Sequence, residues 1–94
     1  MSAEKIEIIV PKDLTKLAGN KFGQKCYLEI KNRININDDI IFVLPDRIDR
    51  VASSFVQGFF SELYLALGYS GIKEKISFET KIQDFKEFVL ENLE

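Results

Sequence analysis

Apolar and polar positions divide this chain into strand-like and helix-like segments. Residues 4–10 alternate between apolar and polar side chains and stop at a proline, which predicts a first β-strand. Residues 39–44 end in five consecutive apolar positions, the pattern of a central strand buried on both faces. Residues 75–80 alternate again, which predicts a third strand with one exposed face.

The segments around these strands favour helices. Residues 23–33 fit a strand by their alternation and a helix by their four-residue spacing, but a crossover between parallel strands usually contains a helix. We therefore predict a helix there, after a short helical turn at 13–18 that follows Pro11. Thr80 and Gln83 have the spacing of a capping box, which predicts a last helix over 81–93.

The helix predicted over residues 54–67 organises the chain. It begins at Ser53 or Ser54, and Ser54 with Gln57 has the capping-box pattern. Gly68 is a suitable residue to end it.

Successive residues of a helix are about 100° apart, so this segment has two distinct faces. The core-facing arc contains Phe55, Val56, Phe59, Phe60, Leu63, Ala66 and Leu67. The opposite arc contains Ser54, Gln57, Gly58, Ser61, Glu62, Tyr64 and Leu65.

The predicted order is β-α-β-α-β-α, which is typical of a small α/β layer domain with helices packed on a mixed or mostly parallel sheet. A chain of 94 residues predicts one domain, 1–94, and 46% hydrophobic residues are enough for a core. We expect Phe55, Phe59, Leu63, Phe85 and Val89 to be buried.

Composition excludes several classes of function. Thirteen basic and fifteen acidic residues are interspersed and give a net charge of −2, which argues against nucleic-acid binding. No apolar run is long enough to span a membrane, and residues 1–5 lack the apolar region of a signal peptide. One cysteine, Cys26, permits no internal disulfide and favours the cytoplasm. We expect Cys26 to lie in the core.

The sequence also contains no catalytic constellation. Without histidine, triads and Cys/His metal sites are excluded, and the carboxylates show no metal-ligand pattern. We therefore expect no enzyme activity and no cofactor.

Most of the chain resembles STAS domains, which include the bacterial antagonists of anti-sigma factors. A buried strand is followed by a polar connector, a Ser-Ser pair that opens a helix, a glycine and another strand. The run from Ser53 to Leu63 and the pair Leu67-Gly68 resemble, more specifically, the STAS-like domain family of unknown function. The resemblance implies a partner-switching regulator whose partner is a kinase or an anti-sigma-like protein. The serine phosphorylated in such antagonists corresponds to Ser53, and Ala52 stands where they carry aspartate.

Two hypotheses for a functional site follow. Ser53 and Ser54 either cap the helix or include a phosphorylated switch. The outer face, formed by Ser54, Gln57, Gly58, Ser61, Tyr64 and Leu65, is either ordinary surface or a flat protein-binding strip; self-association is left open. The alternative function is binding of a small ligand, anion or nucleotide at the N-terminus of helix 54–67.

Overall fold

The computed structural model describes residues 4–93, where strands and helices alternate. Residues 1–3, on which the signal-peptide prediction partly depends, lie outside the described part. In chain order the strands and helices are β1 (Glu4–Glu7), β2 (Lys16–Leu17), α1 (Asn20–Ile30), β3 (Ile40–Val43), β4 (Arg50–Val51), α2 (Ser53–Phe59), α3 (Ser61–Lys75), β5 (Ile76–Glu79) and α4 (Phe85–Glu91).

The main sheet is parallel and has the strand order β1-β3-β5. Its register places Ile6, Phe42 and Phe78 side by side across the three strands. Helix α1 connects β1 to β3, and helices α2 and α3 connect β3 to β5. The predicted α/β class and the alternation of helices with parallel strands are confirmed.

Only one face of this sheet is buried. Ile40, Phe42 and Leu44 are at most 2% exposed, whereas Ile41 and Val43, which point to the other face, are half-buried. The prediction that β3 is buried on both faces is therefore wrong. An unbroken apolar run is compatible with two-sided burial but does not require a second covering layer.

Phenylalanine side chains form the centre of the core. Phe42 contacts Phe59 and Phe60 edge to face at centroid distances of 5.3 and 6.0 Å, and Phe78 contacts Phe85 at 4.9 Å. Such edge-to-face pairs are favourable arrangements of aromatic quadrupoles. All five side chains predicted to be buried are buried, namely Phe55, Phe59, Leu63, Phe85 and Val89.

The helix predicted over 54–67 is two helices. Helix α2 ends at Phe59, and Phe60 has the non-helical angles φ −94° and ψ 4° before α3 begins at Ser61. Helix α3 then passes the predicted stop at Gly68, where φ is +73° and the helix is kinked, and continues to Lys75. The predicted turn after Gly68 is thus helical.

Tertiary pairing also changes two shorter segments. The turn predicted to be helical over 13–18 contains β2, in which Leu17 is fully buried. The connector after β3 contains β4, which pairs in parallel with β2. Arg47 lies near this pair and donates hydrogen bonds to the carbonyl oxygens of Val10 and Pro11 at 3.1 and 3.0 Å.

The remaining helices are close to the predicted positions. Helix α1 begins three residues earlier than predicted and ends in a 3₁₀ turn at Lys31–Arg33. Helix α4 is shorter than predicted because the Thr80 hydroxyl accepts a hydrogen bond from the Ile82 N–H, and Asp84 adopts a left-handed conformation. The predicted capping box at Thr80 is therefore wrong.

Candidate functional site

Ser54 connects two parts of the fold. Its Oγ accepts a hydrogen bond from the Gly19 N–H at 2.9 Å, thirty-five residues away in the chain. The N-cap of α2 is Ala52, and within the described chain no side chain caps this helix. The predicted capping box of Ser54 with Gln57 is therefore wrong, because the Ser54 hydroxyl binds the residue before α1 instead.

Ser53 has a different environment. It is the first residue of α2, and its side chain is exposed. Ala52, immediately before it, is extended, with φ −83° and ψ 154°. Of the two candidate serines, Ser53 is therefore the one that a modifying enzyme can reach.

Gly58 lies in the interior between α2 and α1. A methyl group built on Gly58 would overlap the carbonyl oxygen of Asn20, and one on Gly23 would lie 2.7 Å from the Phe59 nitrogen. The two glycines thus allow the backbones of α1 and α2 to touch. The prediction that Gly58 faces outward is wrong, and the predicted strip is interrupted at its centre.

The other predicted binding residues remain at the surface in two groups. Gln57 is exposed on α2, on the other side of the break at Phe60. Ser61, Tyr64 and Leu65 share one face of α3, because they are three and four residues apart. We call these three residues the α3 surface.

The α3 surface is accessible and combines one apolar side chain, Leu65, with the amphipathic Tyr64 and the polar Ser61. Leu65 is 87% exposed and Tyr64 is 37% exposed. The Ser61 hydroxyl, at the start of α3, donates a hydrogen bond of 3.0 Å to the Gly58 carbonyl oxygen near the end of α2. The hydroxyl therefore has a partner within the domain. An ion pair of 3.0 Å between the exposed side chains of Lys31 and Glu62 connects the 3₁₀ turn after α1 to the start of α3.

A shallow groove lies beside the start of α2. Its volume is about 330 Å³, and its lining residues include Val51, Ala52, Phe85 and Phe88. Lys16 and Arg50 also line the groove and are neighbours in the β2–β4 pair, and the acidic Asp49 lines it as well and offsets part of their charge. The alternative hypothesis of an anion site at this helix start therefore has a basic side chain pair nearby.

Cys26 lies in the core, as predicted. Burial, with a contribution from the nearby Glu29 charge, raises the pKa of the Cys26 thiol to about 11. The thiol is consequently protonated at neutral pH and a poor nucleophile. Because this pKa exceeds the unfolded value of 9.0, the thiol favours folding at neutral pH, and this contribution is lost as the pH rises through about 11.

Besides the β2–β4 pair and the break at Phe60, two further features of the fold were missed from the sequence. One is the contact of α1 with α2 at Gly23 and Gly58; its only sequence signal is a glycine in the interior of each helix, where glycine is unfavourable by about 1 kcal/mol. The other is the uncovered sheet face, for which the apolar run in β3 gave no signal.

Comparison of this chain with protein-family models, with curated proteins and with solved structures finds no match. Across residues 4–93, no group of three or more potential metal ligands is found. Within the same range, no helix has the length and apolar character needed to cross a bilayer.

Proposed function

We propose that this domain is a non-enzymatic, cytoplasmic protein-interaction module of the STAS-like type, which binds a protein partner through the α3 surface. The observation that carries the proposal is the exposure of Leu65, 87%, beside the partly exposed Tyr64. Burial of a leucine side chain is favourable by roughly 1.5–3 kcal/mol. Tyrosine is enriched at protein interfaces because it combines a large apolar area with a polar end.

The proposed control point is Ser53. A phosphate on this exposed hydroxyl would add about −1.5 to −2 charges at the start of α2, where the helix dipole tolerates negative charge. The fold would therefore accept the modification, while a partner lying over this region would not. Ser54 is unsuited to the same role because its hydroxyl accepts the hydrogen bond from Gly19.

Leu65→Ser tests the binding surface. Tagged wild type is used to capture partners from lysate of the source cells, and the affinity of each purified partner is then measured by calorimetry. Removal of a fully buried leucine predicts binding at least about tenfold weaker.

Leu28→Ser is the matched control, because Leu28 is also a helical leucine and is 59% exposed, but on α1. We expect it to bind like wild type. Equal affinity of wild type and Leu65→Ser for every captured partner would contradict the proposal.

The switch is tested separately. A cognate kinase is incubated with wild type, Ser53→Ala and Ser54→Ala, and the products are analysed by mass spectrometry. We expect phosphate on wild type and on Ser54→Ala, and none on Ser53→Ala. Modification of Ser53→Ala to the wild-type level would exclude Ser53 as the switch.

A second candidate function is binding of an anionic ligand in the groove. It is favoured by Lys16 and Arg50, which are adjacent across β2 and β4 at the groove edge. Titration with inorganic phosphate and with nucleotides, followed by NMR shifts of residues 50–52, tests it. If the domain is a pure interaction module, the NMR signals of residues 50–52 show no saturable shift. If a ligand binds in the groove, the double variant Lys16→Ala/Arg50→Ala should abolish the shift.

A further inference from the structure

Among the described residues 4–93, one face of the main sheet is left without a covering helix. Parallel sheets almost always have helices on both faces. Here the strand side chains in the core all lie on one face, and none of the side chains on the other face is buried. We call this other face the open face; it consists of Lys5, Glu7, Ile41, Val43, Ser77 and Glu79.

The strand register arranges the open face in two rows. Lys5, Ile41 and Ser77 form the first row, and Glu7, Val43 and Glu79 form the second. Each row has an apolar residue of β3 at its centre. On β1, a positive charge in the first row is therefore followed by a negative charge in the second.

We propose that a second copy of this chain covers the open face, so that the two sheets pack face to face. The two-fold axis lies between the sheets, parallel to their planes and perpendicular to the strands. This axis places the first row of one copy over the second row of the other. Lys5 then faces Glu7 of the second copy, and Ile41 faces Val43 of the second copy. Both contacts occur twice, as an isologous interface requires.

Charge complementarity favours a second copy over an apolar partner. Lys5 forms an ion pair of 2.7 Å with Glu79 of the same chain, across β3. An apolar helix laid on this face would bury these charges and leave Glu7 unpaired, which is costly. A second copy brings its Lys5 amine, which is already paired with Glu79 of its own chain, to Glu7, so that each amine lies between two carboxylates.

The size of the open face predicts a weak dimer. Three strands spaced about 4.8 Å apart and four residues long cover roughly 14 by 13 Å. This footprint is far below the roughly 800 Å² per partner of a stable interface, even when neighbouring loops add to it. We therefore expect self-association only at about 0.1–1 mM, in a reversible equilibrium.

Sedimentation equilibrium up to 1 mM on the whole chain tests the proposal with two charge reversals. Lys5→Glu places glutamates against glutamates, and Glu7→Lys places lysines against lysines, so each variant alone should dimerise at least about tenfold more weakly. Mixed in equal amounts, the two variants face each other with opposite charges. The mixture should associate within about threefold of wild type.

The matched control uses charge reversals on helices. Lys25→Glu and Glu74→Lys change exposed residues and give the same net charges as the test pair, −4 and 0 from the wild-type −2. Each control variant should dimerise like wild type. If Lys5→Glu lowers the melting temperature, Ser77→Glu, which faces Glu79 of the second copy, replaces it and is mixed with Glu79→Lys in place of Glu7→Lys.

Three results would overturn the proposal: a wild-type monomer at 1 mM, no recovery in the mixture, or equal weakening by the control variants. The inference is independent of the proposed function, because the α3 surface lies on the helical layer. Leu65→Ser should leave the dimer unchanged, and Lys5→Glu should leave partner binding unchanged.

Discussion

Helices α2 and α3 come from one amphipathic pattern but differ in how many of their sides are covered. In α2, four of seven residues are buried, and the helix contacts α1 on one side and, through Phe59, Phe42 of β3 on another. In α3, only Leu63 and Ile72 of fifteen residues are buried. The same spacing of apolar residues can therefore belong to a helix enclosed on two sides or to one packed on a single side.

Their glycines show the difference most directly. Gly58 in α2 contacts the backbone of α1, and a side chain there would overlap the Asn20 carbonyl oxygen. A methyl group built on Gly68 in α3 would have no described atom within 4 Å, apart from the adjacent residues and the nearby backbone of the same helix. The backbone angle φ of Gly68, however, is +73°. Glycine is required by packing at the first position and by backbone conformation at the second.

The largest expected effect is that of Gly58→Ala. Overlap with a helix backbone cannot be relieved by a side-chain rotation, so we expect a loss of about 3 kcal/mol in the free energy of unfolding, despite the better helix propensity of alanine. Urea denaturation measures it. Gln57→Ala, the exposed neighbour, is the control and should change stability by less than about 0.5 kcal/mol.

The burial of Gly58 also determines the expected outcome of Gly58→Arg. If Gly58 faced outward, arginine there would leave folding intact and block a partner. Since Gly58 is buried, the variant should fail to fold. A well-folded Gly58→Arg protein would contradict the packing of α1 on α2.

The next effect is that of Gly68→Ala. With φ +73° and ψ 174°, Gly68 occupies a region almost restricted to glycine, so alanine should cost about 1–3 kcal/mol through strain alone. Thermal unfolding measures the loss. Ser70→Ala, two residues further along α3, should have almost no effect; a neutral Gly68→Ala would mean that the kink at Gly68 is not retained in solution.

Ser54→Ala should have a smaller effect. It removes the acceptor for the Gly19 N–H and should lower the free energy of unfolding by about 1 kcal/mol. Hydrogen exchange at Gly19 should become faster in this variant. Ser53→Ala, one residue away and exposed, should leave both quantities unchanged, and equal effects of the two variants would contradict the assignment.

The smallest effect on stability is expected for Leu65→Ser. The side chain is 87% exposed, so only the lower helix propensity of serine remains, about 0.5 kcal/mol or less. The same denaturation experiment on Leu63→Ser, at a buried position two residues earlier, should show a loss of several kcal/mol. If Leu65→Ser is as destabilising as Leu63→Ser, α3 is more enclosed than the structure indicates.

Much of the fold could be predicted from local patterns. The three strands of the main sheet, the parallel crossovers and the buried faces of α2 and α4 follow from the period of apolar positions, because that period records which side of a segment faces the core. Phe59 and Val89 are buried for this reason. The exposed Leu65 was equally visible as an apolar residue on a polar arc.

The tertiary structure alone decided what covers the second side of each segment. Ser54 binds Gly19 across 35 residues of chain, and Gly58 touches Asn20 across 38; neither contact affects the local pattern of apolar and polar positions. The pairing of β2 with β4 is also long-range, and it overrides a turn pattern at 13–18. Local periodicity determines one buried face, whereas the close approach of two backbones depends on how the whole chain packs.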